Sequence, residues 1–108
     1  MPENLETLGK NAFYLCQSLI SIGIPNKVKS IGDFTFYQCS SMSSITIGSG
    51  VTSISSNAFT GCTELSIVKF SGSAEPTTCP DNAFADCPVS KVTVPSGYTG
   101  TDFCGVAI

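Results

Sequence analysis

The chain contains no histidine, no tryptophan and no arginine, and its charge is sparse: five lysines and eight acids in 108 residues. Each shortage removes a class of function. Without histidine, Ser–His and Cys–His nucleophilic pairs and His-ligated zinc are excluded on inventory. Five lysines and no arginine form no basic stripe, so no nucleic-acid partner is expected. Charged residues make up 12% of the chain, about half of the roughly 25% usual in soluble domains. Solubility therefore falls to Ser, Thr, Gly and Asn, and the net charge is a mild −3. No apolar run approaches the ~20 residues of a membrane-crossing helix. Met1-Pro2-Glu3-Asn4 offers neither a basic n-region nor an apolar h-region, so no signal peptide is expected in this chain. None of the asparagines opens an Asn-x-Ser/Thr glycosylation acceptor. The acids Glu3, Glu6, Asp33, Glu64, Glu75, Asp81, Asp86 and Asp102 share no inward phase that a catalytic carboxylate pair would need. Asp81, Asp86 and Asp102 lack calcium-loop spacing and read as a solvated edge. No enzyme, metal or cofactor is expected.

What the chain does contain is a motif at fixed spacing. Asn11-Ala12-Phe13-x-x-Cys16 returns as Phe34-Thr35-Phe36-x-x-Cys39, Asn57-Ala58-Phe59-x-x-Cys62 and Asn82-Ala83-Phe84-x-x-Cys87. Successive phenylalanines lie 23, 23 and 25 residues apart, and so do the cysteines. Such a period predicts stacked repeats and not a globule around one central core. Within a unit, Met42-x-x-Ile45-x-Ile47 shows the alternation of a strand, Gly48-Ser49-Gly50 a turn, and Val51-x-x-Ile54 a second extended segment. Ala58-Phe59-x-x-Cys62 then reads as a short helical turn with Ala, Phe and Cys inward. Leu19-x-x-Ile22-x-Ile24, Leu65-x-x-Val68-x-Phe70 and Val89-x-x-Val92-x-Val94 repeat the strand pattern. The boundaries follow: a partial repeat over 1–18, repeats 19–41, 42–64 and 65–88, and a terminal strand with a cap over 89–108. One repeat cannot bury its own apolar face, so about four should make one domain of modest stability.

The unit Leu19-x-x-Ile22-x-Ile24-Pro25-x-x-Val28-x-x-Ile31-Gly32-x-x-x-Phe36-x-x-Cys39 resembles the BspA-like class of leucine-rich repeats, and Asn57-Ala58-Phe59-x-x-Cys62 supplies that class's Ala-Phe pair. The resemblance runs from residue 1 to about 98. It implies an α/β repeat solenoid: a right-handed superhelix of mostly short parallel β-strands with helical turns and one sheet on the concave side. It also implies cell-surface or secreted proteins of bacteria and parasitic protists, which adhere to host or extracellular matrix proteins or to other cells, and no catalysis by the repeat itself. Two departures stand out. Between Phe70 and Asn82 two extra residues intrude, and Pro76 and Cys79 take the phases of Val51 and Ile54, which predicts a bulged convex loop. Pro2-x-x-Leu5-x-x-Leu8-Gly9 aligns with Pro25-x-x-Val28-x-x-Ile31-Gly32, so the chain starts mid-repeat. An uncapped first coil implies a fragment, or an end that packs on another subunit.

The phenylalanine stripe and the cysteine column are expected in the core, where aromatic rings and small thiols fill space. Four sulfurs on a line do not surround one metal ion. Cys79 and Cys104 lie off that column, and either could be buried or pair with the other. The candidate binding surface is the outward side of the strands. Its residues are Ser21 and Gly23, Ser44 and Thr46, Ile67 and Lys69, and Lys91 and Thr93. Residues at i and i+2 of a strand share a face, so these pairs form two columns, hydroxylated at one end and apolar and basic at the other. A protein partner on this face is the first expectation. The alternatives are self-association through the first coil, giving a self-assembling structural unit, or a cytosolic scaffold.

Overall fold

A computed structural model describes residues 5–108. It contains seven short strands: β1 (Thr7–Leu8), β2 (Ser21–Gly23), β3 (Ser30–Ile31), β4 (Ser44–Ile47), β5 (Ser53–Ile54), β6 (Ile67–Phe70) and β7 (Val92–Thr93). They form two all-parallel sheets, β1-β3-β5 and β2-β4-β6-β7. The pairing is the repeat made visible. Leu8 pairs with Ile31 and Ile31 with Ile54, while Ile22 pairs with Ile45 and Ile45 with Val68. Residues of one phase lie over one another, so each coil hydrogen-bonds and packs against the next. The alignment of Met1 and Pro2 with the repeat falls outside the described residues.

Between the sheets runs one continuous core. Ile31, Ile45, Ile47, Ile54, Val68 and Val92 face inward and are fully buried or nearly so. The phenylalanine stripe is a stack of nearly parallel rings, as expected. Phe13 to Phe36, Phe36 to Phe59 and Phe59 to Phe84 have centroid separations of 5.2, 5.1 and 4.8 Å. At its end Phe103, itself buried, packs on Phe84 and on Phe70.

The Ala-Phe-x-x-Cys segments differ from the expected helical turns. Two left-handed residues bracket each of the first three, Asn11 and Leu15, Phe34 and Gln38, Asn57 and Gly61. Between them the backbone N–H groups alternate. Tyr14 donates to Asn11 and Cys16 to Phe13 within the coil, whereas Phe13 donates to Thr35 and Leu15 to Tyr37 in the next coil. A helix would direct all of these donors along one segment. Here half of them cross between coils, so the segment joins its neighbours as a strand does. The described residues contain one 3₁₀ helix, Asp81–Phe84. In that coil Asn82 is absent from the left-handed set and Asp86 alone keeps that conformation.

The residues inserted after Phe70 are taken up in a short exposed loop, and the coil then returns to its register. Pro76 is buried at the phase of Val51, and Thr78 bridges Ser53. Ser73, Ala74 and Glu75 are exposed and absorb the extra length. One residue fewer after Cys87 leaves β6 and β7 paired as Val68 with Val92 and Lys69 with Thr93. Glycine is required at Gly48, where a Cβ would come within 2.5 Å of the Ile24 carbonyl oxygen of the preceding coil. Pro25, which stands at that phase one coil earlier, is half-buried.

Candidate functional site

The outward side of β2, β4, β6 and β7 is built by alternation. Ile22, Ile45, Val68 and Val92 point into the core, so the residues on either side of each point away from it. Pairing aligns Ser21 with Ser44 and Ser44 with Ile67 in one column. A second column runs Gly23, Thr46, Lys69, Thr93. Lys91 continues the first column beside Ile67. Seven of these eight residues are exposed and Ser44 is half-buried. Ile67 is 50% exposed. Lys91 does not end the sheet, since it bridges Ala107 of the tail and the Val92 N–H donates to the Ala107 carbonyl. Sequence reading missed this edge, because nothing in Gly105-Val106-Ala107 carries the repeat pattern.

The cysteine column has a role beyond filling space. The Cys39 thiol donates to the Phe13 carbonyl at 3.1 Å, that of Cys62 to Phe36 at 3.1 Å, and that of Cys87 to Phe59 at 2.9 Å. Each phenylalanine carbonyl thereby serves its own coil, through the Cys N–H three residues on, and the following coil through the thiol. Cys39 and Cys62 are fully buried. The Cys39 and Cys87 thiols on either side of Cys62, with burial, push its pKa far above the usual thiol value, so it stays protonated. The Cys62 thiol, protonated and donating to the Phe36 carbonyl, is a structural donor. Thr35 takes the Ala phase of its coil. Its buried hydroxyl is satisfied between the Gly32 and Gly9 carbonyls, at 2.7 and 3.0 Å.

Cys79 and Cys104 form a disulfide, with Cα atoms 5.2 Å apart. It ties the coil after the insertion to the tail, where the Tyr98 hydroxyl donates to the Asp102 carbonyl at 2.6 Å. Among the described residues no group of three Cys, Asp or Glu side chains is arranged to hold a metal ion. No helix among them is long and apolar enough to cross a membrane.

Away from the sheet face, Tyr14 and Tyr37 stack at 5.3 Å and Phe34 meets Tyr37 edge-on. With Lys10 and Asn11 they line an open hollow of about 310 Å³. Thr60 and Ala85 hold the tyrosine phase in the later coils, so this outer aromatic stack belongs to the first two coils alone. A second hollow, of about 330 Å³, is lined by Glu6, Asn26, Lys27 and Lys29.

Parallel coils in 23-residue register, with stacked Phe and Cys columns, are the pattern described by the family model of the BspA type leucine rich repeat region, which matches residues 1–102. The chain belongs to the BspA-type leucine-rich-repeat family. No curated protein matches it in sequence. Among solved structures it is similar to a leucine rich cell surface protein from Faecalibacterium prausnitzii A2-165, with a TM-score of 0.61 at 20% identity. The match covers 89% of this chain and 31% of that one, so the chain spans about a third of its structural neighbour's length. At that identity the likeness concerns the fold. For this BspA-type chain it agrees with a leucine-rich-repeat architecture of short parallel strands, with little helix.

Proposed function

We propose that this chain is a non-catalytic interaction module that holds a protein partner on the outward face of β2, β4, β6 and β7, in a protein displayed at the cell surface or secreted. The observation that carries the reading is the pair of in-register columns, Ser21-Ser44-Ile67-Lys91 and Gly23-Thr46-Lys69-Thr93. Four strands bring side chains from distant parts of the sequence onto one surface, at a spacing of ~4.8 Å from coil to coil. Small residues over half of it let a partner's backbone approach closely. An exposed isoleucine gives the other half an apolar anchor. In this reading the coils wind as a right-handed solenoid with this sheet on the concave side, the usual contact surface of curved repeat proteins. The Cys79–Cys104 disulfide supports an oxidising compartment over a cytosolic scaffold. The family's surface-displayed neighbour supports the same placement.

Self-association through the first coil has one observation in its favour. Leu5, Phe13, Cys16, Leu19 and Ile22 are half-buried, while most of their column mates are fully buried. Leu8 of the same coil is itself buried and adds nothing to such an edge.

The test is a screen of purified extracellular matrix and cell-surface proteins against the chain and against its Thr46→Arg variant. Thr46 is exposed, so the arginine should leave the fold intact, as read by circular dichroism and melting temperature. A genuine partner is captured by the parent and lost by the variant. Capture that survives Thr46→Arg and Lys69→Glu places the contact elsewhere and removes the sheet-face reading.

A further inference from the structure

The charge on the sheet face is segregated. The chain carries a net −3, yet the two charged residues among the eight outward positions are both lysines, Lys69 and Lys91. No acid occupies an outward position of β2, β4, β6 or β7. Lys69 is two residues from Ile67 on the same strand and the same face, about 7 Å away. Lys91 is its neighbour on the next strand, about 5 Å away. Ile67, half exposed, thus has a lysine along its own strand and another on the adjacent strand, at one end of the face. Ser21, Gly23, Ser44 and Thr46 fill the other end, and a Cβ added at Gly23 would meet nothing within 4 Å. The face is a smooth floor that rises to an apolar knob flanked by two positive charges.

We infer that the partner segment bound here is acidic: an extended peptide that presents, at every second position, a carboxylate, an aliphatic or aromatic side chain and a second carboxylate. The inference rests on the sheet-face reading and deepens it by naming the chemistry of the partner. Side chains at every second position of an extended peptide share one face, so in a segment acid-x-apolar-x-acid two carboxylates turn toward the lysines while the apolar side chain lies over Ile67, where it loses water against an apolar surface and a polar rim. A basic segment would bring like charges together at both ends, which opposes binding. The length fits as well. The three gaps between the four strands span roughly 14 Å, and an extended peptide rising ~3.3 Å per residue crosses that in four to five residues. Because the remaining floor is uncharged, the electrostatic contribution concentrates at the β6–β7 end. It should steer encounter and set register more than it sets total affinity.

The test uses the full chain, isotope-labelled, and three synthetic peptides in a Gly-Ser frame: one carrying Glu-Ser-Leu-Ser-Glu, one Lys-Ser-Leu-Ser-Lys and one Ser-Ser-Leu-Ser-Ser. Amide and methyl shifts are followed at low salt and at about 0.5 M salt, where surface charges are largely screened. The expected result is a saturable shift with the acidic peptide, centred on Ile67, Lys69 and Lys91 and weakened by salt. Lys69→Glu and Lys91→Glu should each weaken it roughly fivefold, with the rest of the spectrum unchanged as evidence of an intact fold. If the neutral or basic peptide shifts the same residues as strongly, the acidic assignment is overturned while the sheet face stands as a binding surface. If the shifts map instead to Tyr14, Phe34 and Tyr37, both the assignment and the sheet-face reading fall. Absence of any shift with the acidic peptide overturns the assignment.

Discussion

Replacing Phe59 by alanine should cost far more than replacing Phe13, although both stand at the same phase of the same repeat. Phe59 is fully buried, with ring neighbours on both sides at 5.1 and 4.8 Å. Phe13 is half-buried and stacks on Phe36 alone, at 5.2 Å. Truncating a buried phenylalanine typically costs about 3–5 kcal/mol, as lost transfer energy plus the cavity left behind. Phe59→Ala removes two stacked pairs and leaves a hole in the middle of the column, so the upper part of that range, about 4–5 kcal/mol, is expected. Phe13→Ala removes one pair at a site that water already reaches, so about 1–2 kcal/mol is expected. A chain of this size has a total stability of roughly 5–15 kcal/mol, so the first change approaches the limit of folding. With an unfolding entropy of about 2 cal/mol/K per residue, 1 kcal/mol corresponds to a shift of about 4 °C. The two variants should therefore melt about 16–20 °C and about 4–8 °C below the parent. Urea denaturation at neutral pH, followed by far-UV circular dichroism, gives the two free energies directly. Equal losses for the two variants would show that the coils do not share one continuous core, and the stacking argument would fail.

Three further outcomes follow from named contacts. Cys62→Ala removes a buried sulfur and one of the two donors to the Phe36 carbonyl. It should cost about 1–2 kcal/mol in urea denaturation; a neutral result would remove the thiol bonds from the account. Cutting the Cys79–Cys104 disulfide, which closes a loop with a sequence separation of 25, should lower stability by about 3.5 kcal/mol on the loop-entropy model. The melting temperatures of the parent and the Cys79→Ala, Cys104→Ala double variant check this. Burial raises the Tyr98 pKa above its ordinary value of 10.0, with Glu75 and Asp102 adding to the effect. The folded state thus favours the protonated phenol. Its contribution is complete below about pH 10 and is lost as pH rises through the raised pKa. Tyr98→Phe should flatten that alkaline loss of stability, and unchanged alkaline behaviour would remove Tyr98 from it.

Where sequence reading succeeded, it did so because a period leaves little freedom. Once Ile22, Ile45 and Val68 share a phase, in-register parallel pairing follows, and so do the columns to which Ser21, Thr46 and Lys69 belong. The phenylalanine stripe was legible for the same reason. The turns were not. Their left-handed positions hold Asn11, Leu15, Phe34, Gln38, Asn57, Gly61 and Asp86. Asn, Asp and Gly favour that conformation locally, whereas Leu15, Phe34 and Gln38 do not. Leu15 and Gln38 are held there by N–H groups that bond across coils, to Tyr37 and Thr60, an effect of stacking that a single repeat does not display. The tail was illegible for a related reason. Phe103 and Ala107 join the last coil by filling what a further repeat would fill, without its sequence. The thiol hydrogen bonds are a third case, since Cys in a column satisfies the pattern of a small apolar residue whether or not its proton has an acceptor.

The central claim is that a partner is held on the outward side of β2, β4, β6 and β7. Hydrogen exchange of the chain alone and with a captured partner tests it most directly, because the two exposed surfaces lie on different elements. The account predicts new protection at Ser44–Ile47, Ile67–Phe70 and Val92–Thr93, with Tyr14, Phe34 and Tyr37 unchanged. Protection confined to the Tyr14, Phe34 and Tyr37 turns, with those strands unaffected, would contradict it.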